Sequence, residues 1–167
     1  MRGENVKSRT EMSPAELTQA WSKASEQMME ELPPEVEALL ADLLFDGERV
    51  IFKIRSHGIV ERNQLALTNR RLFIFIKGLS GGQGQKSKNL IAAIADIGRL
   101  SVRIYPLSKL TGFEFSPQRG TGYLQVLTDM TSEDDKEGKF MFGTNLGYFK
   151  GILVYHKILE LQENDGA

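Results

Sequence analysis

Apolar positions along the chain follow a helical period, change to two-residue alternation near Glu48, and return to the helical period near Asn145. Leu17, Trp21, Ala24 and Met28 recur at intervals of four, three and four, which puts them on one stripe and predicts a helix over 14–32. Ser13-Pro14-Ala15-Glu16 has the form of a capping box at its start, and Pro33-Pro34 stops it. Val36, Leu39, Leu40, Leu43 and Leu44 predict a second, shorter helix over 35–44, ended by Asp46-Gly47.

Beyond it, Val50, Phe52 and Ile54 are expected on one side of a strand and Arg49, Lys53 and Arg55 on the other, giving a half-buried strand with a basic outer face. Residues 64–68 and 72–77 read as a hairpin through Thr68-Asn69-Arg70-Arg71, where asparagine tolerates the positive φ of a tight turn. Further strands are predicted over 100–105, 110–116, 123–128 and 139–142, and a closing amphipathic helix over 145–162, capped by Thr144 or Asn145. The order describes a mainly β chain with helices, an α+β fold. Seven short antiparallel strands would form a small barrel or sandwich, capped by a C-terminal helix and preceded by a helical extension.

A length of 167 residues suits one such domain. Its expected divisions are a disordered start at 1–12, the helical extension at 13–45, the β domain at 46–162 with a glycine-rich insertion at 78–100, and a tail at 163–167. Cysteine is absent, which removes disulfides and thiolate chemistry. No apolar run is long enough to span a bilayer, and MRGENVKSRTEM lacks the apolar core of a secretory signal, so the cytoplasm is the expected location.

The net charge of −1 conceals a strong asymmetry. Residues 1–48 carry 4 basic and 11 acidic side chains, 49–109 carry 12 and 2, and 110–167 carry 5 and 9. A middle third so basic can attract phosphate, anionic lipid or an acidic protein. Lys53, Arg55, Arg62, Arg70, Arg71, Lys77, Lys86 and Lys88 are the candidate ligand-binding residues for such an anion. The competing expectation is that the acidic N-terminal helices, or solvent, answer these cations at home.

Leu79-Ser80-Gly81-Gly82-Gln83-Gly84-Gln85-Lys86 spells the nucleotide-sensing signature of cassette ATPases. That chemistry also needs a G-x-x-x-x-G-K-[ST] loop whose amides cradle phosphates, and none is present. The stretch therefore reads as a polar connection leaving a strand, part of an insertion with a short helix near 90–98. His57 and His156 have no carboxylate at ligand spacing, so each reads as a surface or groove residue and no metal site is expected. The acids of 132–138 lack calcium-loop spacing and read as a solvated hairpin tip. No G-x-S-x-G elbow, cysteine nucleophile or paired acid and base points to catalysis. Tyr105, Phe113, Phe115 and Tyr123 read as sheet packing, not as the pattern of a nucleic-acid-reading sheet, and no cofactor is implied.

Asp46-Gly47-Glu48-Arg49-Val50, Leu65-Ala66-Leu67-Thr68-Asn69-Arg70-Arg71-Leu72-Phe73-Ile74-Phe75 and Tyr105-Pro106-Leu107-Ser108-Lys109-Leu110-Thr111-Gly112-Phe113 carry a resemblance. In this order, and followed by Gly122-Tyr123-Leu124-Gln125-Val126 and Phe140-Met141-Phe142, they resemble the bacterial pleckstrin-homology-like family, of YokE-like type, over residues 46–162. The resemblance implies a seven-stranded, helix-capped barrel that binds protein or lipid and does not catalyse. It supplies no general set of ligand residues. The helices before residue 46 and the long 78–100 insertion depart from the family pattern. The leading expectation is a binding or scaffold module for a protein partner or a second copy. The alternatives are an anionic-lipid or phosphate sensor, peripheral at the inner face of the membrane, and, more distantly, a nucleotide-binding protein using the glycine-rich loop.

Overall fold

The structure is a computed structural model that describes residues 9–55, 63–77, 100–118, 121–128, 139–142 and 146–165. A 3-10 turn at Arg9–Glu11 precedes helix α1, Pro14–Glu26. The capping box is formed as the sequence implies: the Glu16 amide donates to Ser13 Oγ at 3.2 Å and the Ser13 amide to Glu16 Oε1 at 3.4 Å. The helix then stops at Glu26 and does not run to Leu32. Met28 to Glu30 turn instead into an extended segment lying parallel to the first strand. The Lys53 amide donates to the Met28 carbonyl at 2.8 Å, and the Lys53 carbonyl accepts from the Glu30 amide at 2.8 Å. Edge pairing thus takes the backbone that periodicity assigned to helix, while Met28 still reaches the core, 3 % exposed.

Helix α2, Pro34–Leu43, follows, and the Glu48 amide then donates to the Phe45 carbonyl across a tight turn. Gly47 in that turn has φ +79°, a conformation that favours glycine. Strands β1 (Val50–Arg55), β2 (Gln64–Thr68), β3 (Arg71–Lys77) and β4 (Leu100–Pro106) form a four-stranded antiparallel sheet in chain order. A 3-10 turn at Leu107–Lys109 leads to β5 (Leu110–Gln118), β6 (Thr121–Thr128) and β7 (Lys139–Phe142), a three-stranded antiparallel sheet also in chain order. Helix α3, Gly147–Asp165, closes the chain. The mainly antiparallel β fold with a C-terminal helix agrees with the pattern of alternation.

Each face of the four-stranded sheet is covered. Ile54, Leu65, Leu67, Leu72 and Ile74 pack with Phe140 of β7 and with Val154 and Ile158 of α3. On the other face Ala66, Phe73 and Phe75 pack under Leu32, Val36 and Leu40 of the N-terminal region. All five residues of β2 are consequently buried, which a strand with one solvated face would not be. Burying a leucine or valine fully is worth about 1.5–3 kcal/mol, so α2 is part of the folding unit. A third cluster joins Ala20 and Ala24 of α1 to Phe149 of α3, with Trp21 and Phe149 ring centroids 4.8 Å apart, edge to face.

A bulge overturns one expected face. The β1–β2 register shifts between Val50 and Phe52, so Ile51 is an extra residue. Phe52 and Ile54 pack toward α3, whereas Val50 packs with the residues under α2.

Candidate functional site

Glu48, Thr68 and Arg71, from two of the segments that carry the family resemblance, meet at one end of the four-stranded sheet. Glu48, between the α2 turn and β1, lies beside Arg71, the first residue of β3. Arg71 Nε donates to Glu48 Oε1 at 3.0 Å and Nη2 to Oε2 at 2.6 Å, a forked contact. Nη2 also donates to the Leu43 carbonyl at 2.6 Å, at the end of α2. The guanidinium lies 4.0 Å from the Phe45 ring centroid and 4.8 Å from that of Phe73. Thr68 Oγ1 donates to Glu48 Oε1 at 2.7 Å, and the Phe45 amide donates to Glu48 Oε2 at 2.9 Å.

Burial is the largest influence on Glu48 and pushes its pKa up. Hydrogen bonds from Arg71, the Phe45 amide and Thr68, with the Arg71 charge, outweigh it and bring the value down to about 2. The Glu48 side chain is fully enclosed, so this is a buried, satisfied pair and not an anion receptor.

The β2–β3 turn obeys the same chemistry. Thr68 Oγ1 accepts from the Arg70 and Arg71 amides at 3.1 and 2.9 Å, and Asn69 Oδ1 accepts from the Arg49 amide at 2.8 Å. Among the described residues only glycine takes a positive φ, so Asn69 serves through its carboxamide and not through the left-handed backbone expected of it. A hydroxyl that gathers two successive amides holds the turn without it.

Lys53 is the second paired cation. Its Nζ lies 2.7 Å from Glu37 Oε1, and that same oxygen accepts from the Leu32 amide at 3.0 Å. Burial pushes Glu37 up, but the bonds from Lys53 and Leu32 and the lysine charge leave it below the ordinary carboxylate value. A third pair ties the extended 28–30 segment to α3: Lys150 Nζ to Glu30 Oε1, 2.7 Å, with the lysine side chain 4 % exposed. Glu37 and Glu30 of the N-terminal region are therefore set against cations of β1 and α3.

Of the candidate ligand-binding residues, Lys53 and Arg71 are each bonded to a carboxylate of this chain. Arg55 is exposed at the end of β1 opposite Gln64, and Arg70 is exposed in the β2–β3 turn. Since Gln64 pairs with Phe75, four residues along β3 from Arg71, the two ends are roughly 13 Å apart. Arg55 and Arg70 therefore do not converge. Lys77 is the last residue of β3. Arg62, Lys86 and Lys88 lie outside the described residues, as do His57, the LSGGQGQK stretch, the acids of 132–138 and the residues that would cap α3. His156 is exposed on α3. No three histidine, aspartate or glutamate side chains among the described residues gather as a metal-binding group, and no described helix is long and apolar enough to cross a membrane.

What sequence reasoning missed lies on the α2 side of the sheet. Phe45 is 57 % exposed, and Ile104 of β4 is 37 % exposed. Ile104 pairs with Phe73, so it shares the face that α2 covers further in, where Val102 and Leu100 are half-buried against the same cluster. The signal for Phe45 was a large aromatic beside Asp46-Gly47, a turn position with no need of one.

No protein-family model and no curated protein matches the chain. Among solved structures it is similar to a DUF1696 family protein with a pleckstrin-homology domain from Shewanella loihica PV-4, at 17 % identity and TM-score 0.47, over 81 % of this chain and 97 % of that one. It is also similar to a pleckstrin homology domain from Shewanella amazonensis SB2B, at 13 % identity and TM-score 0.48, over 80 % of this chain and 90 % of that one. Both neighbours are bacterial pleckstrin-homology domain proteins.

Proposed function

We propose that this chain is a non-enzymatic binding module of bacterial pleckstrin-homology-like fold, acting in the cytoplasm on a protein partner or on a second copy of itself. The fold reading draws on the resemblance over residues 46–162 and on the order of elements: four strands, three strands, then a helix whose Val154 and Ile158 enter the core between the sheets. In that reading the seven strands form one helix-capped barrel. The observation that favours protein over lipid is the fate of the charge. Lys53 and Arg71 are held by carboxylates of the same chain, while Phe45 and Ile104 stand apolar and exposed on one sheet face.

Two arms test this. Full-length protein is mixed with neutral vesicles and with vesicles rich in phosphatidylglycerol, and is separately purified from its native host under stringent washing. The expected result is no pelleting with either vesicle, and either a protein partner in fixed ratio or a defined homo-oligomer. Pelleting with acidic vesicles alone, reversed by salt and without a protein partner, would overturn the reading in favour of a lipid sensor.

A further inference from the structure

The buried pair of Glu48 and Arg71 is the hub of two joined turns that also hold three exposed residues. Arg49 is tied through its backbone: its amide donates to Asn69 Oδ1 at 2.8 Å, and its carbonyl accepts from the Asn69 amide at 3.0 Å. The Arg70 amide donates to Thr68 Oγ1, and the Arg70 carbonyl accepts from the Leu107 amide. Phe45 donates its amide to Glu48 Oε2, and the Arg71 guanidinium lies 4.0 Å from its ring centroid. Arg49 and Arg70 are nevertheless exposed, and Phe45, at 57 %, is the most exposed of the large apolar side chains described.

The fold sets these residues side by side. Arg49 lies opposite Asn69, the neighbour of Arg70, so the two backbones are about one strand spacing apart, roughly 5 Å. An arginine side chain is longer than that, so both guanidiniums can reach one ligand. Among the described residues no carboxylate lies at ion-pair distance from either, in contrast to Lys53 and Arg71. A guanidinium has N–H donors and no acceptor, so what it recognises must bring acceptor oxygens, and a planar carboxylate matches it in a forked contact. A lipid surface takes clusters of about four to eight basic side chains, whereas here there are two, with Asp46 exposed in the same turn as Phe45. Arginine and aromatic residues are the types enriched where proteins meet.

We propose that this end of the sheet docks an acidic segment of a protein partner, with a carboxylate of the segment bridging Arg49 and Arg70 and an apolar side chain beside it covering the Phe45 ring. This rests on the protein-binding reading and names its surface and the chemistry of the partner. The backbone hydrogen bonds hold both turns before the partner arrives, so little ordering is left to the encounter. Holding and recognising are divided between neighbours: Glu48, Thr68 and Arg71 fix the platform, and exchange of Arg49 or Arg70 leaves it intact.

The probe is a fluorescein-labelled octapeptide of six glutamates around two central leucines, followed by anisotropy against the full chain at low salt. It is compared with versions carrying lysine for glutamate and serine for leucine. The first should bind tightest, and Arg49→Glu together with Arg70→Glu should weaken it by about tenfold or more, since like charges then meet. Phe45→Ala should weaken it while leaving the affinity of the serine version unchanged. Lys23→Glu, an exposed change of the same sign on α1, should bind as wild type. Circular dichroism melting establishes that each variant is folded. No binding of the first peptide, equal or tighter binding of the lysine version, charge-reversed arginines that bind as wild type, or an equal loss in Lys23→Glu would each overturn the proposal. Three results would overturn it by naming another occupant: pelleting with phosphatidylglycerol vesicles that the arginine changes abolish, a wild-type dimer that they make monomeric, or peptide binding that strengthens when Glu133, Asp134, Asp135 and Glu137 are neutralised. Retention of a native partner by the arginine variant would reject this surface while leaving the protein-binding reading intact.

Discussion

Arg71 and Glu48 illustrate why a cation in a basic strand need not face a ligand. Their contact is forked and enclosed, and Phe45 and Phe73 lie against the guanidinium. Breaking a buried pair leaves a charge without a partner, so Arg71→Ala should lower stability by about 3–5 kcal/mol in a denaturant titration, with Arg71→Lys between it and wild type. Acid stability follows from the same residue. Glu48 is ordinarily near 4.5 and is held at about 2 in the fold. A depressed carboxylate contributes stability that is complete above its unfolded pKa and lost as pH falls through the folded one. This term, about 3 kcal/mol, should therefore fade between pH 4.5 and pH 2. Glu48→Gln should be less stable at neutral pH and should lose less between those limits, as read from urea midpoints at each pH.

At the scale of elements, the N-terminal region is a strap drawn across the sheet. Leu40 is 2 % exposed within the cluster that α2 shares with Phe73 and Phe75, and its truncation to alanine should cost about 2–5 kcal/mol, as leucine cavities do. Glu30→Pro removes the amide that reaches the Lys53 carbonyl, and faster hydrogen exchange at the Lys53 amide is the expected signature. Sequence pattern made most elements legible. Capping box, alternation and turn residues located the helix starts and the strands to within a residue or two. The end of α1 was hidden because Met28 satisfies a helical stripe and a strand edge equally, and only β1 decides between them. The face of Val50 was hidden by the Ile51 bulge, which reverses alternation without leaving a compositional mark.

For the whole molecule, charge asymmetry was legible in the sequence and its destination was not. The pairs that answer it join residues 16 and 23 positions apart, distances that only the fold connects. Among the described residues, Lys53 and Arg71 are paired while Arg55 and Arg70 are exposed, a division invisible in a count of basic side chains. The acidic N-terminal helices and the sheets share their cores and form one cooperative body. Trp21, the single tryptophan, sits on α1 against Phe149 of α3, so its fluorescence reports the seating of the strap while far-ultraviolet dichroism reports the whole chain. Guanidinium unfolding followed by both signals should give coincident transitions with one midpoint and one slope. A tryptophan transition completed at lower denaturant, with the dichroism of folded sheets still present, would contradict it.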